Sequence, residues 1–308
     1  MIGRRVAVTG LGVVAPCGTG NEAFWAGLLA TPADGERRIP DFDPSNWFGP
    51  KEARRTDRFA QLAVAAASLA LEDAGPLGVD LDRAGVLIAT GVGGLHTLED
   101  QIVLRHEKGA KRVSPFLVPM MMPNAGAASV SMRFGWRGPC ETTVTACAAS
   151  THAIANAARL VATGTCDAVM AGGSEAAITP SGVAGFTNMT ALSGSGRSRP
   201  YDVERDGFVI AEGAAVLVLE EWEAAVGRGA RIYGEVLGGA STADAHHITA
   251  PSPDGSGAVR AIEQALADAG LAPGDIRQIN GHGTSTPLND AAEAGAITKV
   301  FGSPGPPV

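Results

Sequence analysis

The sequence is short of several things, and each shortage narrows the field. No Cys-x-x-Cys pair occurs among its four cysteines, Cys17, Cys140, Cys147 and Cys166, which argues against a zinc site or a dithiol motif. Free thiols in a cytoplasmic protein are the simplest reading. No run of about 18 uncharged apolar residues is present, so no membrane-spanning helix is expected. The first apolar stretch is broken by Gly10 and Gly12 and is too brief for a secretory signal. Charged residues make up only 18%, and basic ones are the scarcer sign: 24 Lys and Arg face 32 Asp and Glu, a net charge of −8. That balance argues against nucleic acid as a general partner. What is abundant is small and apolar: 45% hydrophobic residues and 41 glycines in a chain of 308. This is ample for a large core and suits a tightly packed α/β protein.

Read in order, the chain alternates buried strands with helices. Arg5 to Ala15 reads as a strand and contains G-x-G-x-x-A at Gly10, Gly12 and Ala15. The dinucleotide reading fails on context, because Pro16, Gly18 and Gly20 stand where a helix should start. Asn21 is expected to cap a helix through Leu29. Lys51, Arg54, Arg55 and Arg58 are expected to open a helix that runs to Leu71. Such a basic cluster is either a solvated face or a dock for an acidic partner. Gly85 to Thr90 reads as a strand, Leu95 to Glu107 and Ala125 to Phe134 as helices, Cys166 to Ala171 as a strand. Ser174 then reads as a helix N-cap or, as a rival, a nucleophile. Residues 178–207 read as loop with short helical pieces, and AAVLVLE within Val209 to Glu220 as a strand. Later stretches echo earlier ones: strands at Arg231 to Gly238 and around Ile276 to Gly283, with a helix from Gly257 to Gly270 between them. Self-similar halves imply one plan used twice. The boundary falls at 228/229, giving halves of 1–228 and 229–308, the second with strands missing.

Two stretches carry chemistry. Val144-Thr145-Ala146-Cys147-Ala148-Ala149-Ser150 places a cysteine between a β-prone run and an alanine-rich helix from Ser150 to Thr163. Unpaired N–H groups and the positive helix end converge there, which lowers a thiol pKa. The small neighbours leave room for a substrate, although a buried structural cysteine would also fit. Asn280-Gly281-His282-Gly283-Thr284-Ser285-Thr286-Pro287 puts an imidazole among small hydroxyl residues at a strand end. Ligands of α/β sheets bind outside the carboxyl ends of strands. In a doubled plan the two turns could face one crevice.

The pieces RRVAVTGLGVVAPCG, SPFLVP, RGPCETTVTACAAS, VMAGGSEAAITP, SRPYDVERDGFVIAEGAAVLVLEE and NGHGTSTPLNDAAEA run in order over nearly the whole chain. With them the sequence resembles the β-ketoacyl-[acyl carrier protein] synthases, most closely the elongating enzymes of type II fatty acid systems. The resemblance implies a thiolase-like layered αβαβα fold, here with an incomplete second half. It implies Cys147 as the acyl-accepting nucleophile and His282 as the first of two active-site histidines. Thr284 and Thr286 would contact the phosphopantetheine arm, and Met122 and Phe134 would shape the acyl pocket. Lys51, Arg54 and Arg55 would lie where the acyl carrier protein docks. A homodimer is implied, with the strand before the cysteine at its interface, and no metal or redox cofactor.

Two family features are not reached before Val308: a Lys and second His, and a Gly-Phe-Gly-Gly loop. The expectation is therefore a fragment with weak condensing activity. A non-catalytic, chain-length-setting partner subunit is the rival, disfavoured by the presence of Cys147. A thiolase is disfavoured by the HGTST motif.

Overall fold

The computed structural model describes residues 3–31 and 34–308. Seven strands form one sheet: β1 (Val6–Ala15), β2 (Gly18–Thr19), β3 (Ala84–Ala89), β4 (Cys140–Glu141), β5 (Ala168–Glu175), β6 (Gly213–Glu221) and β7 (Gly234–Glu235). Their order is β2-β1-β6-β5-β3-β4, with β7 also beside β1. β3, β4 and β5 are mutually parallel where they pair, and β6 runs antiparallel to both β5 and β1. The helices are α1 (Asn21–Leu28), α2 (Pro50–Ala53), α3 (Arg58–Ala74), α4 (Leu95–Lys108), α5 (Leu117–Met121) and α6 (Ala125–Phe134). After these come α7 (Ala149–Ala162), α8 (Pro180–Asn188), α9 (Trp222–Gly227), α10 (Ser256–Ala269) and α11 (Pro287–Phe301). None of them is long and apolar enough to cross a membrane.

Alternation along the strands sorts the core into two faces. Val86, Ile88 and Met170 pack with α3 and α6 on one side. Leu87, Ala89, Val169 and Ala171 pack with α7 on the other. The first layer is unusually thin, since α3 presents Ala60, Ala63, Ala66, Ala67 and Ala70, all fully buried. This explains the Gly10 and Gly12 pair. A Cβ on Gly12 would lie 2.0 Å from the Ala66 carbonyl oxygen, and one on Gly10 2.3 Å from that of Ala70. The glycines let the helix backbone settle on β1; they cradle no phosphate.

Several expectations change. Asn21 does not cap α1: Gly20 holds that position, and the Asn21 amide donates to the Leu11 carbonyl at 2.9 Å. The basic cluster does not open one long helix. Asp57 caps α3 by accepting from Phe59 N at 3.2 Å, so Lys51 lies on the separate α2 and Arg54 and Arg55 in the turn between. Ser174 is neither cap nor nucleophile, because it lies buried in β5 and donates to the Phe59 carbonyl at 2.6 Å. Of the strand expected over 231–238, only Gly234–Glu235 forms, and none forms over 276–283. A strand exists through its ladder partner. The first segment meets β1 through Tyr233 and Val236, whose N–H groups reach Val8 and Val6. Along the second, the Ile279 N–H finds the Pro307 carbonyl at 2.9 Å, and no ladder is built.

Gly12→Ala tests the packing account. Overfilling a close contact of this kind costs about 1–3 kcal/mol, so the variant should melt several degrees below the parent in a thermal scan. An unchanged melting temperature would mean that α3 does not depend on the bare glycine.

Candidate active site

The parallel strands deliver the site to one edge of the sheet. β4 leads towards the Cys147 turn, β3 ends beside Thr90 and β5 ends at Glu175. The turn itself is tight. Ala146 has φ 52°, left-handed for a non-glycine residue, a conformation that costs on the order of 1–3 kcal/mol. Ala146–Ala148 form one 3₁₀ turn and α7 begins at Ala149. Cys147 therefore stands just ahead of a helix, where backbone N–H groups lack partners. It is exposed, as are Cys17 and Cys140, and all four cysteines are free thiols.

His282 comes from the irregular segment before α11 and lies close enough to the Cys147 sulfur for each to shift the other's pKa. Two acids on α11 hold that segment. Glu293 accepts from His282 N at 2.6 Å, Gly283 N at 2.9 Å and the Tyr201 hydroxyl at 2.8 Å. Asp290, buried, accepts from Tyr201 N at 2.8 Å. Ser285 is fully buried; its hydroxyl accepts from Arg199 N at 2.9 Å and its carbonyl from Gly207 N at 2.8 Å. The loop that carries the imidazole is thus fixed by side chains, not by a sheet.

The pair is electrostatically coupled. The His282 hydrogen bond lowers the Cys147 pKa against the opposing effect of burial, with His282 charge and the Cys147 N–H assisting. Reciprocally, the bond to Cys147 raises the His282 pKa against burial, helped by the charges of Cys147, Glu293 and Asp290. A thiolate facing an imidazolium is a nucleophile towards an acyl carbonyl.

Cys147 opens on a cavity of about 720 Å³ whose walls include Ile154, Phe186, Phe208, Leu217 and Glu175. Phe186 and Phe208 meet edge to face, centroids 5.5 Å apart. Burial pushes the Glu175 carboxyl pKa up, against hydrogen bonds from Gly91 N, Ala176 N, Thr90 Oγ1 and Val92 N. Thr284 and Thr286 share a hydroxyl–hydroxyl bond of 2.7 Å, two and four residues past His282. The other expected residues lie elsewhere. Met122 lines a groove of about 940 Å³ with Lys51 and Arg55, and Arg55 stacks 4.2 Å above the Phe116 ring. Arg54 is exposed at the end of α2. Phe134 packs towards Trp136 and Leu71 in a third cleft. Within this chain neither Met122 nor Phe134 lines the Cys147 cavity, because Met122 faces the groove with Lys51 and Phe134 packs on the core that α3 and α6 share. Glu175, Asp290, Glu293, Phe186 and Phe208 went unnoticed as site residues. The signal for the α11 acids was their spacing of three, which places both on one helix face.

A helix-start cysteine beside a histidine loop on an α/β fold suits covalent acyl transfer. The family model "Beta-ketoacyl synthase, N-terminal domain" matches residues 35–225, and "Beta-ketoacyl synthase, C-terminal domain" matches 233–307. The chain belongs to the beta-ketoacyl synthase family. It is 46% identical to a 3-oxoacyl-[acyl-carrier-protein] synthase 2 of Synechocystis sp., an alignment covering 97% of this chain and 77% of that protein. Among solved structures it resembles the ishigamide ketosynthase/chain length factor, with a TM-score of 0.89 and 32% identity over 99% of this chain and 79% of that one. It also resembles a type II polyketide ketosynthase, AntDE, solved with its acyl-carrier protein, AntF, with a TM-score of 0.86 and 33% identity over 98% of this chain and 78% of that one.

The pair makes a pH prediction. A lowered Cys147 pKa keeps the thiolate present below the range near about 8.5 where ordinary thiols ionise. Iodoacetamide should therefore label Cys147 faster than Cys17 at about pH 7. His282→Ala should move the midpoint of labelling upward and slow it by about an order of magnitude at that pH. Mass spectrometry of labelled peptides checks both.

Proposed function

We propose that this chain is a 3-oxoacyl-[acyl carrier protein] synthase whose nucleophile is Cys147. The observation that carries the reading is Cys147 just ahead of α7, opening on a largely apolar cavity, with His282 close enough to lower its pKa. The Cys147 thiolate attacks the thioester carbonyl of an acyl carrier. The carrier sulfur leaves and takes the proton, and the acyl group stays on Cys147. Acylation removes the negative sulfur that raises the His282 pKa, which favours the neutral imidazole. It then donates a hydrogen bond to the thioester oxygen of a malonyl carrier. The bond to the carboxylate breaks, CO2 departs and its electron pair forms the enolate. The enolate carbon attacks the acyl-Cys147 carbonyl, the C–S bond breaks, and a 3-oxoacyl thioester two carbons longer is released.

In this reading Thr284 and Thr286 meet the phosphopantetheine arm, and the substrates themselves bring the only carrier group required. The exposed basic residues Lys51, Arg54 and Arg55 suit an acidic carrier protein. Met122, in the same groove, would act on the acyl chain only from that face, and Phe134 likewise only from outside the Cys147 cavity. A homodimer would use β4, which ends the sheet and carries no further strand among the described residues. The setting is cytoplasmic, in keeping with four free thiols. The non-catalytic partner reading is the weaker one, since both Cys147 and its imidazole are in place.

Intact mass after incubation with a carrier protein loaded with an acyl thioester tests the proposal. The chain should gain one acyl group, and Cys147→Ala should gain none. His282→Ala should lower CO2 release from a malonyl carrier by about 10²–10³. Absence of any adduct on the parent chain would overturn the reading.

A further inference from the structure

The turn that presents Cys147 has little to hold it. Val144 to Ala148 are exposed. The peptide groups leading in are tied by Thr90 N to the Thr143 carbonyl, at a long 3.3 Å, and the turn is closed by Ala148 N to the Thr145 carbonyl at 3.2 Å. Ala146 is held in the left-handed region, which an alanine would leave if released. One side-chain bond spans this strained piece. Thr145 Oγ1 and His152 Nδ1 lie 2.8 Å apart. Thr145 is the residue before Ala146, and His152 sits on α7, five residues after Cys147. His152 is flanked on the helix by Ala149 and Ala153, both buried against the sheet. The bond therefore fastens the start of the turn to the helix that follows it. The Cys147 side chain lies inside the bridged stretch.

We propose that His152 is a positioning residue for the nucleophile: its bond to Thr145 clamps the Thr145-Ala146-Cys147 turn and aims the sulfur at His282. His152 meets neither the acyl group nor the sulfur; it acts through the backbone it restrains. The inference rests on the reading of Cys147 as the nucleophile. The clamp matters because a nucleophile displaced by about 1 Å can lose on the order of 10² in rate. Asparagine carries a polar atom at the same distance from its Cβ as the imidazole Nδ1, so it can replace the histidine in this role.

The test is iodoacetamide labelling of the full chain across pH, with Cys17 and Cys140 as exposed internal references. Thr145→Val and His152→Ala should each slow Cys147 labelling by about tenfold at about pH 7 and move its midpoint upward. Neither should alter Cys17 or Cys140. The double variant should be no slower than either single one, since both remove the same bond. His152→Asn should restore most of the rate. Thr145 is exposed, so its valine variant keeps the fold if the His152 variants do not. The inference falls if Thr145→Val keeps the parent rate and midpoint, or if the two effects multiply. A parent chain whose Cys147 labels no faster than Cys17 would instead remove the nucleophile reading itself.

Discussion

The site depends on one juxtaposition, of a sulfur at the start of a helix with an imidazole on a loop that has no sheet of its own. The two partners reach each other by different means. Cys147 is delivered by regular structure, since three parallel strands end together and α7 begins where the chain turns. His282 is delivered by carboxylates. Glu293 and Asp290 gather the N–H groups of His282, Gly283 and Tyr201, and Ser285 locks the loop to residues 199–207. The acids do two things at once. They fix the backbone of the loop, and their charges raise the proton affinity of the imidazole they carry. In the resting pair this favours imidazolium and thiolate. In the proposed reaction, acylating the sulfur would remove the largest influence that raises the His282 pKa, while those of Glu293 and Asp290 remain.

Much of the fold was legible because burial leaves a periodic mark. Val86 and Ile88 face one way and Leu87 and Ala89 the other, and every one of them is buried. A strand buried on both faces reads as an unbroken apolar run, and β3 is that case. The ends of Ala125–Phe134 were also readable, because the glycine at 135 takes a left-handed conformation where a helix must stop. The failures have a common cause. Asn21 and Ser174 have side chains that suit a helix cap, but each found a distant backbone carbonyl instead. Local propensity says which bonds a residue can make, and tertiary packing decides which one it does make. Residues 276–283 failed for the same reason in another form, since β-propensity without a neighbouring strand produces only extended chain.

The site divides along the same line. Cys147 and His282 were legible because their settings are unusual in sequence: a thiol among small residues before an alanine-rich helix, and an imidazole among glycines and threonines. The groups that hold them were not. A glutamate that accepts backbone N–H groups looks, in sequence, like any solvated helix acid, and only the contact of α11 with the loop separates the two. Phe186 and Phe208 lie in loop-rich stretches without periodicity, yet they shape the cavity beside the sulfur. Met122 is a different case: the resemblance alone gave it a place at the acyl pocket, and within this chain it lines a separate groove with Lys51 and Arg55.

Glu175 shows why the site needs polar groups in an apolar cavity. Burial disfavours its charge, and four donors from the Thr90–Val92 turn and Ala176 offset that cost only in part. An unneeded buried acid would be a liability. Here it ties the end of β3 to the end of β5. Gly91 lies between the carboxylate and the strained Ala146: a Cβ there would be 3.0 Å from Glu175 Oε2 and 3.8 Å from the Ala146 Cα. The turn that follows β3 thus lies beside the turn that presents Cys147. A side chain at 91 would crowd the carboxylate, while Ala146 lies at ordinary contact distance. The carboxyl kept inside the apolar wall therefore holds the ends of two strands together beside the turn that carries Cys147.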